Sequence, residues 1–125
     1  MKDELFKQEG YDLMGAVFEV YNEQGCHLSE DIYQASLEEE LRLREIPYDA
    51  QRRLDVFYKG KKLEPYFIPD LFVCDEIVVE LKAVKKLLPE HEAQLINYLA
   101  ITGKKVGYLI NFGHQGSLEW KRIVL

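Results

Sequence analysis

Apolar residues recur along this chain with two different periods, and the change of period marks out its elements. From about residue 11 to 24, Leu13, Met14, Val17, Phe18 and Tyr21 are spaced by threes and fours, which predicts an amphipathic helix ended by Gly25. A second helix is predicted directly after it. Ser29 suits the N-cap, Glu30 and Asp31 place acids in the first turn, and Tyr33, Leu37 and Leu41 form one stripe before Pro47 closes the segment. From about 52 to 82 the period falls to two, and three strands fit. Leu54, Val56 and Tyr58 alternate up to a Lys59-Gly60-Lys61 turn, a second strand runs from Tyr66 to Val73, and a polar turn at Cys74-Asp75-Glu76 leads into a third from Ile77 to Lys82. Pro89, Glu90 and Glu92 then suit a helix start, with Leu95 and Leu99 at helical spacing until Gly103. Val106 to Asn111 and Leu118 to Leu125 read as two further strands joined by a turn from Gly113 to Gly116. The predicted order is ααβββαββ, an α/β chain of α+β-like character with helices flanking a sheet.

The 125 residues, 47% of them hydrophobic, are enough for one domain with its own core, and no repeat, low-complexity stretch or linker divides residues 1–125. Apolar runs such as Ile77-Val78-Val79 are too short to cross a bilayer, and the charged start Met1-Lys2-Asp3-Glu4 is not followed by the apolar run of a signal peptide. The expectation is a cytoplasmic chain without membrane contact. Cys26 and Cys74 have no C-x-x-C spacing, so they read as reduced, packed thiols and not as a disulfide framework or a zinc site. A net charge of −6 argues against coating nucleic acid by bulk electrostatics. The charge is uneven, however: residues 1–50 hold 13 acids against 4 bases, and residues 51–125 hold 9 acids against 12 bases, so a polyanion should meet the second part. The bases there fall in small groups: Arg52-Arg53, Lys59 to Lys62, Lys82 to Lys86, Lys104-Lys105 and Lys121-Arg122.

The chemistry concentrates at the predicted Asp75 turn. Strand side chains alternate faces, so Glu80 and Lys82 share one face while Val79 and Leu81 take the other. A turn centred on Asp75 with an odd loop places Asp70 opposite Glu80 on that face, whereas an even loop would shift the register and undo the match. Two facing carboxylates need a compensating charge, and a divalent cation is the simplest one. With no His or Cys at ligand spacing, oxygen ligands favour Mg²⁺ or Mn²⁺ over zinc. Such an ion would polarise a phosphoryl oxygen and acidify a bound water, with Lys82 placed to orient that water or neutralise developing charge, which makes Asp70, Glu80 and Lys82 the candidate catalytic set. The competing reading has Asp70 as a strand-end polar residue after Pro69 and Glu80 paired with Lys82 on a solvated face. The proline-aspartate step, the hairpin spacing and the apolar strand weigh against it. On the third helix His91, Gln94 and Tyr98 share a stripe, placed either to contact a phosphate or base or to hydrogen-bond polar groups of the core.

The segments Pro69-Asp70-Leu71, Val79-Glu80-Leu81-Lys82-Ala83 and His91 to Leu99 resemble the small bacterial and archaeal GxxExxY proteins, a family assigned to the PD-(D/E)xK nuclease superfamily. The resemblance runs from about Met14 to Leu125 and takes in Gly15 to Val20 and Asn111-Phe112-Gly113. It implies a restriction-endonuclease-like fold with a mixed central sheet. It also implies a metal site from Asp70 and Glu80, with the backbone carbonyl of Leu81 as a further ligand and Lys82 as the catalytic lysine. Glu30 and Tyr33 match the ExxY half of the family's name, Glu30 as a candidate metal ligand and Tyr33 as a candidate substrate contact. Gln94 and Tyr98 match a Q-x-x-x-Y pattern whose residues lie beside the substrate in related nucleases. His27 stands where the family has its glycine, with Gly25 two positions earlier, and a histidine there pays a cost at positive φ that glycine does not. The function implied is phosphodiester hydrolysis dependent on Mg²⁺ or Mn²⁺, with DNA favoured over RNA. The alternative is a catalytically silent nuclease-fold module that binds protein or nucleic acid, and a homodimer or a partner protein is compatible with either.

Overall fold

The computed structural model describes residues 4–125; the reading of the charged start at Met1-Lys2-Asp3 falls outside the described residues. Helices α1 (Lys7–Gln24) and α2 (Glu30–Leu43) come first, then strands β1 (Tyr48–Asp49), β2 (Leu54–Tyr58), β3 (Lys61–Phe67), β4 (Leu71–Val73) and β5 (Ile77–Lys82). Helix α3 (Pro89–Thr102) and strands β6 (Val106–Asn111) and β7 (Glu119–Val124) complete the chain. Five strands form one sheet in the order β1-β4-β5-β6-β7, while β2 and β3 form a separate hairpin. Within the large sheet only β5 and β6 are parallel, joined by the α3 crossover, so the sheet is mixed. Among the described residues no helix is long and apolar enough to cross a membrane, and both cysteines are free thiols.

The sheet separates two apolar cores. On one face Leu13, Val17, Leu37 and Leu41 of α1 and α2 meet Val73, Ile77, Val79, Leu81 and Ile110. On the other, Leu95, Tyr98 and Leu99 of α3 meet Phe72, Val78 and Leu109. Strand β5 is therefore covered on both faces, which is why Ile77-Val78-Val79 reads as an unbroken apolar run.

Three element boundaries differ from the sequence reading. Helix α1 begins at Lys7, because its first turn, Lys7 to Gly10, carries no apolar period. The strand predicted from Tyr66 to Val73 begins earlier, at Lys61, and is broken at Ile68-Pro69-Asp70: its first part is β3 in the separate hairpin, and its second part is β4 in the main sheet. Pro69 lacks an amide to donate and restricts Ile68, so the ladder cannot run through it. Strand β1 is the third difference; two residues after Pro47 are too few to show a period, and they become a strand only by pairing with β4.

Candidate active site

Register decides whether the chemistry assembles. Between β4 and β5, Leu71 pairs with Val79, Phe72 with Val78 and Val73 with Ile77 across a three-residue loop, in which Cys74 and Asp75 adopt left-handed backbone at φ 51° and 62°. The ladder stops at Leu71, so the next amide of β5 directed towards β4, that of Leu81, has no backbone acceptor there. The carboxylate of Asp70 takes it, with Leu81 N–H donating to Oδ2 at 2.7 Å. In return the Asp70 amide donates to Glu80 Oε1 at 3.0 Å, and Gln34 of α2 donates to the Asp70 carbonyl at 2.9 Å. Asp70 is thus tied at its amide, its carbonyl and its side chain. Asp70 Oδ1 and Glu80 Oε2 take no hydrogen bond among the described residues.

Electrostatics make this pair costly. Glu80 is 5% exposed. Burial first, and the charge of Asp70 second, push its carboxyl up from 4.5 to about 8. Burial also raises Asp70, against the Leu81 hydrogen bond and the charge of Lys82. Lys82 lowers both carboxyls through space but forms no ion pair among the described residues; its Nζ donates instead to Gln94 Oε1 at 3.2 Å. The pair, Glu80 buried and Asp70 half-buried, therefore has no contacting cation, and its two free oxygens are hard donors. That is the chemistry of a divalent-cation site built from carboxylates. Glu30 stays exposed at the start of α2; partial desolvation, then the charge of Asp70, raises its carboxyl. It lies within electrostatic reach but not in a cluster, since among the described residues no three His, Cys, Asp or Glu side chains gather as a ligand set.

The sequence model of the PD-(D/E)XK nuclease superfamily matches residues 7–123. The chain belongs to that superfamily. Pro69-Asp70 and Glu80-Leu81-Lys82 spell its motif, and the mixed sheet with flanking helices is the restriction-endonuclease-like fold expected of it. Among solved structures, the crystal structure of SSO0001 superposes with a TM-score of 0.61 at 20% sequence identity, over 76% of this chain and 50% of that one, which shows a shared fold. This chain spans about half the length of that relative. No curated protein matches it.

The candidate residues take the following places in the fold. Asp70, Glu80 and Lys82 lie on the α3 side of the sheet, at the end of β5. Gln94 is exposed on α3 and bridges two groups, accepting from Lys82 and donating from Nε2 to Tyr98 Oη at 3.1 Å. Tyr98 is buried, its ring edge-on to Phe67 with centroids 5.3 Å apart; burial, Glu80 and Asp70 all raise its phenol. Its place is in the wall behind the site and not on its surface. Tyr33 departs furthest from the sequence reading. It has no exposed surface, its ring stacks on Phe112 at 4.6 Å, and its hydroxyl donates to the Gly25 carbonyl while accepting from the Leu28 amide. A substrate cannot reach it; Tyr33 closes the α1–α2 turn from within. The histidine in place of glycine carries no strain, because the left-handed residue of that turn is Gly25 at φ 73° and His27 has no positive φ. His27 lines a polar cleft of about 550 Å³, beside Ala83, Lys85 and His114, that begins just past Lys82. His91 accepts from the Leu88 amide at 3.0 Å and so organises the start of α3.

Some residues have positioning roles that the sequence did not assign, Asn111 and Gly113 having entered only as element boundaries and as part of the family resemblance. Asn111, fully buried at the end of β6, accepts from the amides of Val84 and Gly113 and donates to Glu119 at 2.9 Å. Glu119 also accepts from the Leu87 amide, so Asn111 and Glu119 together clamp the chain as it leaves β5. Gly113 is required by close approach: a Cβ there would lie 2.5 Å from Val84 N and O. Gln34 is a fourth, and its only sequence signal is its place one turn after Glu30 on α2.

Proposed function

We propose that the chain is a nuclease dependent on Mg²⁺ or Mn²⁺ that hydrolyses phosphodiester bonds, with DNA favoured over RNA on the strength of the GxxExxY resemblance. The observation that carries the proposal is the Asp70–Glu80 pair, with Glu80 buried and Asp70 half-buried, which shares one face of the site with Lys82 and has no contacting cation. Asp70 Oδ1 and Glu80 Oε2 would hold the ion, joined by the Leu81 carbonyl, with Glu30 adding negative charge from α2. When bound, the ion polarises a phosphoryl oxygen and lowers the pKa of a water molecule. The chain's own groups do the rest. Gln94 holds the Lys82 ammonium at the mouth of the site, where it can pair with a phosphate oxygen and offset the charge that builds on it. Tyr98 and Phe67 exclude water from the α3 side. Gln94 retains exposed surface from which to meet the substrate backbone.

Two measurements test the proposal together. Mn²⁺ should raise the melting temperature of the wild type and leave that of Glu80→Ala unchanged, because an ion that binds only the fold stabilises it by mass action. With Mg²⁺ or Mn²⁺ the wild type should degrade DNA, and Lys82→Ala should not. If wild type and Lys82→Ala are equally inert on DNA and RNA, and Mn²⁺ shifts neither melting curve, the chain is the catalytically silent binding module instead.

A further inference from the structure

The β2–β3 hairpin stands outside the main sheet and packs against the protein on one side only, through Leu54 and Phe67 on the α3 core. Towards its tip no other element covers either face, and the nearest cation to the Tyr58 ring is the neighbouring Lys59 ammonium, 5.5 Å from its centroid. Phe57 and Tyr58 are neighbours on one strand, so they point to opposite faces, yet they are 61% and 63% exposed. Tyr66 is also exposed, with the Arg53 guanidinium 3.9 Å above its ring. The charge of this segment reverses that of the chain. Residues 52–68 hold five bases and two acids, while the remainder holds 11 bases and 20 acids. Lys59 and Lys61, at the turn, form no ion pair among the described residues. The hairpin also leads straight into the site, because β3 ends at Phe67, which packs on Tyr98, and Asp70 follows three residues later.

We infer that this hairpin is a nucleic-acid arm: Lys59 and Lys61 neutralise backbone phosphates, and Phe57 and Tyr58 stack on unpaired bases, holding a single-stranded segment beside Asp70 and Glu80. The occupant follows from the surface. Positive charge on an otherwise acidic protein selects a polyanion. Exposed rings on both faces of a narrow ribbon offer stacking platforms that bases locked in a duplex cannot use. The placement of the strand beside the carboxylates rests on the nuclease reading above, but binding by the arm requires neither metal nor turnover.

The experiment is fluorescence anisotropy with the full chain in EDTA, using a labelled single-stranded oligonucleotide and a blunt duplex of the same sequence. The wild type should prefer the single strand, and Phe57→Ser and Tyr58→Ser should each weaken that binding about tenfold without changing the melting temperature. Lys59→Gln combined with Lys61→Gln should flatten the slope of log affinity against log salt by about 1.4. Absence of wild-type binding, ring variants that bind as tightly as wild type, or equal losses on the duplex would each overturn the inference. So would a homodimer in sedimentation equilibrium that the ring substitutions dissociate, since it would assign the ribbon to a second copy of the chain. The two readings separate cleanly. Intact binding in the ring variants, alongside cleavage lost in Lys82→Ala, removes the arm and keeps the nuclease; ring-dependent binding without metal-dependent cleavage does the reverse.

Discussion

Glu80→Gln isolates the cost of the buried carboxylate pair. The amide keeps an oxygen to accept from the Asp70 amide, so the contact at 3.0 Å can persist while the charge is removed. In the wild type, burial and the neighbouring Asp70 raise the Glu80 carboxyl from 4.5 to about 8. A group that binds its proton more tightly in the folded chain favours folding in acid. Its contribution is complete below about pH 4.5 and is lost as the pH climbs through about 8. At about 1.4 kcal/mol per pH unit, that interval corresponds to roughly 3–5 kcal/mol lost by the metal-free wild type. For a chain of this size the loss amounts to about 10–20 °C in melting temperature. Thermal unfolding in EDTA from pH 5 to pH 9 should show this fall in the wild type, with only the smaller slope due to Asp70 and Glu30 left in Glu80→Gln. Surface carboxyls that titrate lower, such as Asp55 and Asp75, are common to both proteins and cancel in the difference. Mn²⁺ should restore the wild type more strongly at pH 8.5 than at pH 6, where it must displace a proton, and should leave the variant unmoved. Parallel pH curves for the two proteins would refute the reasoning, because Glu80 would then be charged at no cost.

Three further outcomes are expected. Gly113→Ala drives a methyl group into the Val84 backbone, and urea unfolding should show a loss of about 2–4 kcal/mol together with weaker Mn²⁺ stabilisation, since the segment leaving β5 must move. Tyr33→Phe removes the hydroxyl that bridges Gly25 and Leu28; it should cost about 1–2 kcal/mol in the same assay and leave nuclease turnover unchanged, and loss of turnover at full stability would place Tyr33 against the substrate after all. Gln94→Ala frees the Lys82 ammonium and should slow cleavage by about 10- to 100-fold with a stability change within about 0.5 kcal/mol, read by single-turnover kinetics and thermal unfolding.

How much of this was legible in the sequence follows from which physics each feature depends on. The helices were, because helical period is local; the β4–β5 register was legible only down to two alternatives, an odd loop that puts Asp70 beside Glu80 and an even one that does not, and the three-residue loop of the structure is the odd case. Pro69 marked the proline-aspartate step but not the strand break, which needed knowledge that β3 belongs to a different sheet. Tyr33 shows the reverse limit. Its spacing from Glu30 matched a motif, but a motif does not distinguish a side chain that meets the substrate from one that holds the backbone beneath it. The roles of Asn111, named only as a strand end and within the family resemblance, and of Glu119, not named at all, were silent because they exist only once β6 and β7 lie beside the segment that leaves β5.

The tethering of Asp70 explains why so unfavourable an arrangement can persist in the fold. A carboxylate pair on mobile side chains would escape its own repulsion by turning towards water. Here the Asp70 amide, carbonyl and carboxylate are committed to Glu80, Gln34 and Leu81, drawn from strand β5 and helix α2, and Glu80 sits on a strand buried on both faces. Rotation would strand polar groups that burial makes expensive, so the cost of burial, and after it the repulsion from Asp70, is retained as a raised proton affinity on Glu80 instead. A divalent ion entering such a site meets ligands already oriented and a charge imbalance already in place. The stability forgone by the metal-free fold is then the same quantity that strengthens metal binding, and the proton held by Glu80 is what the ion must displace.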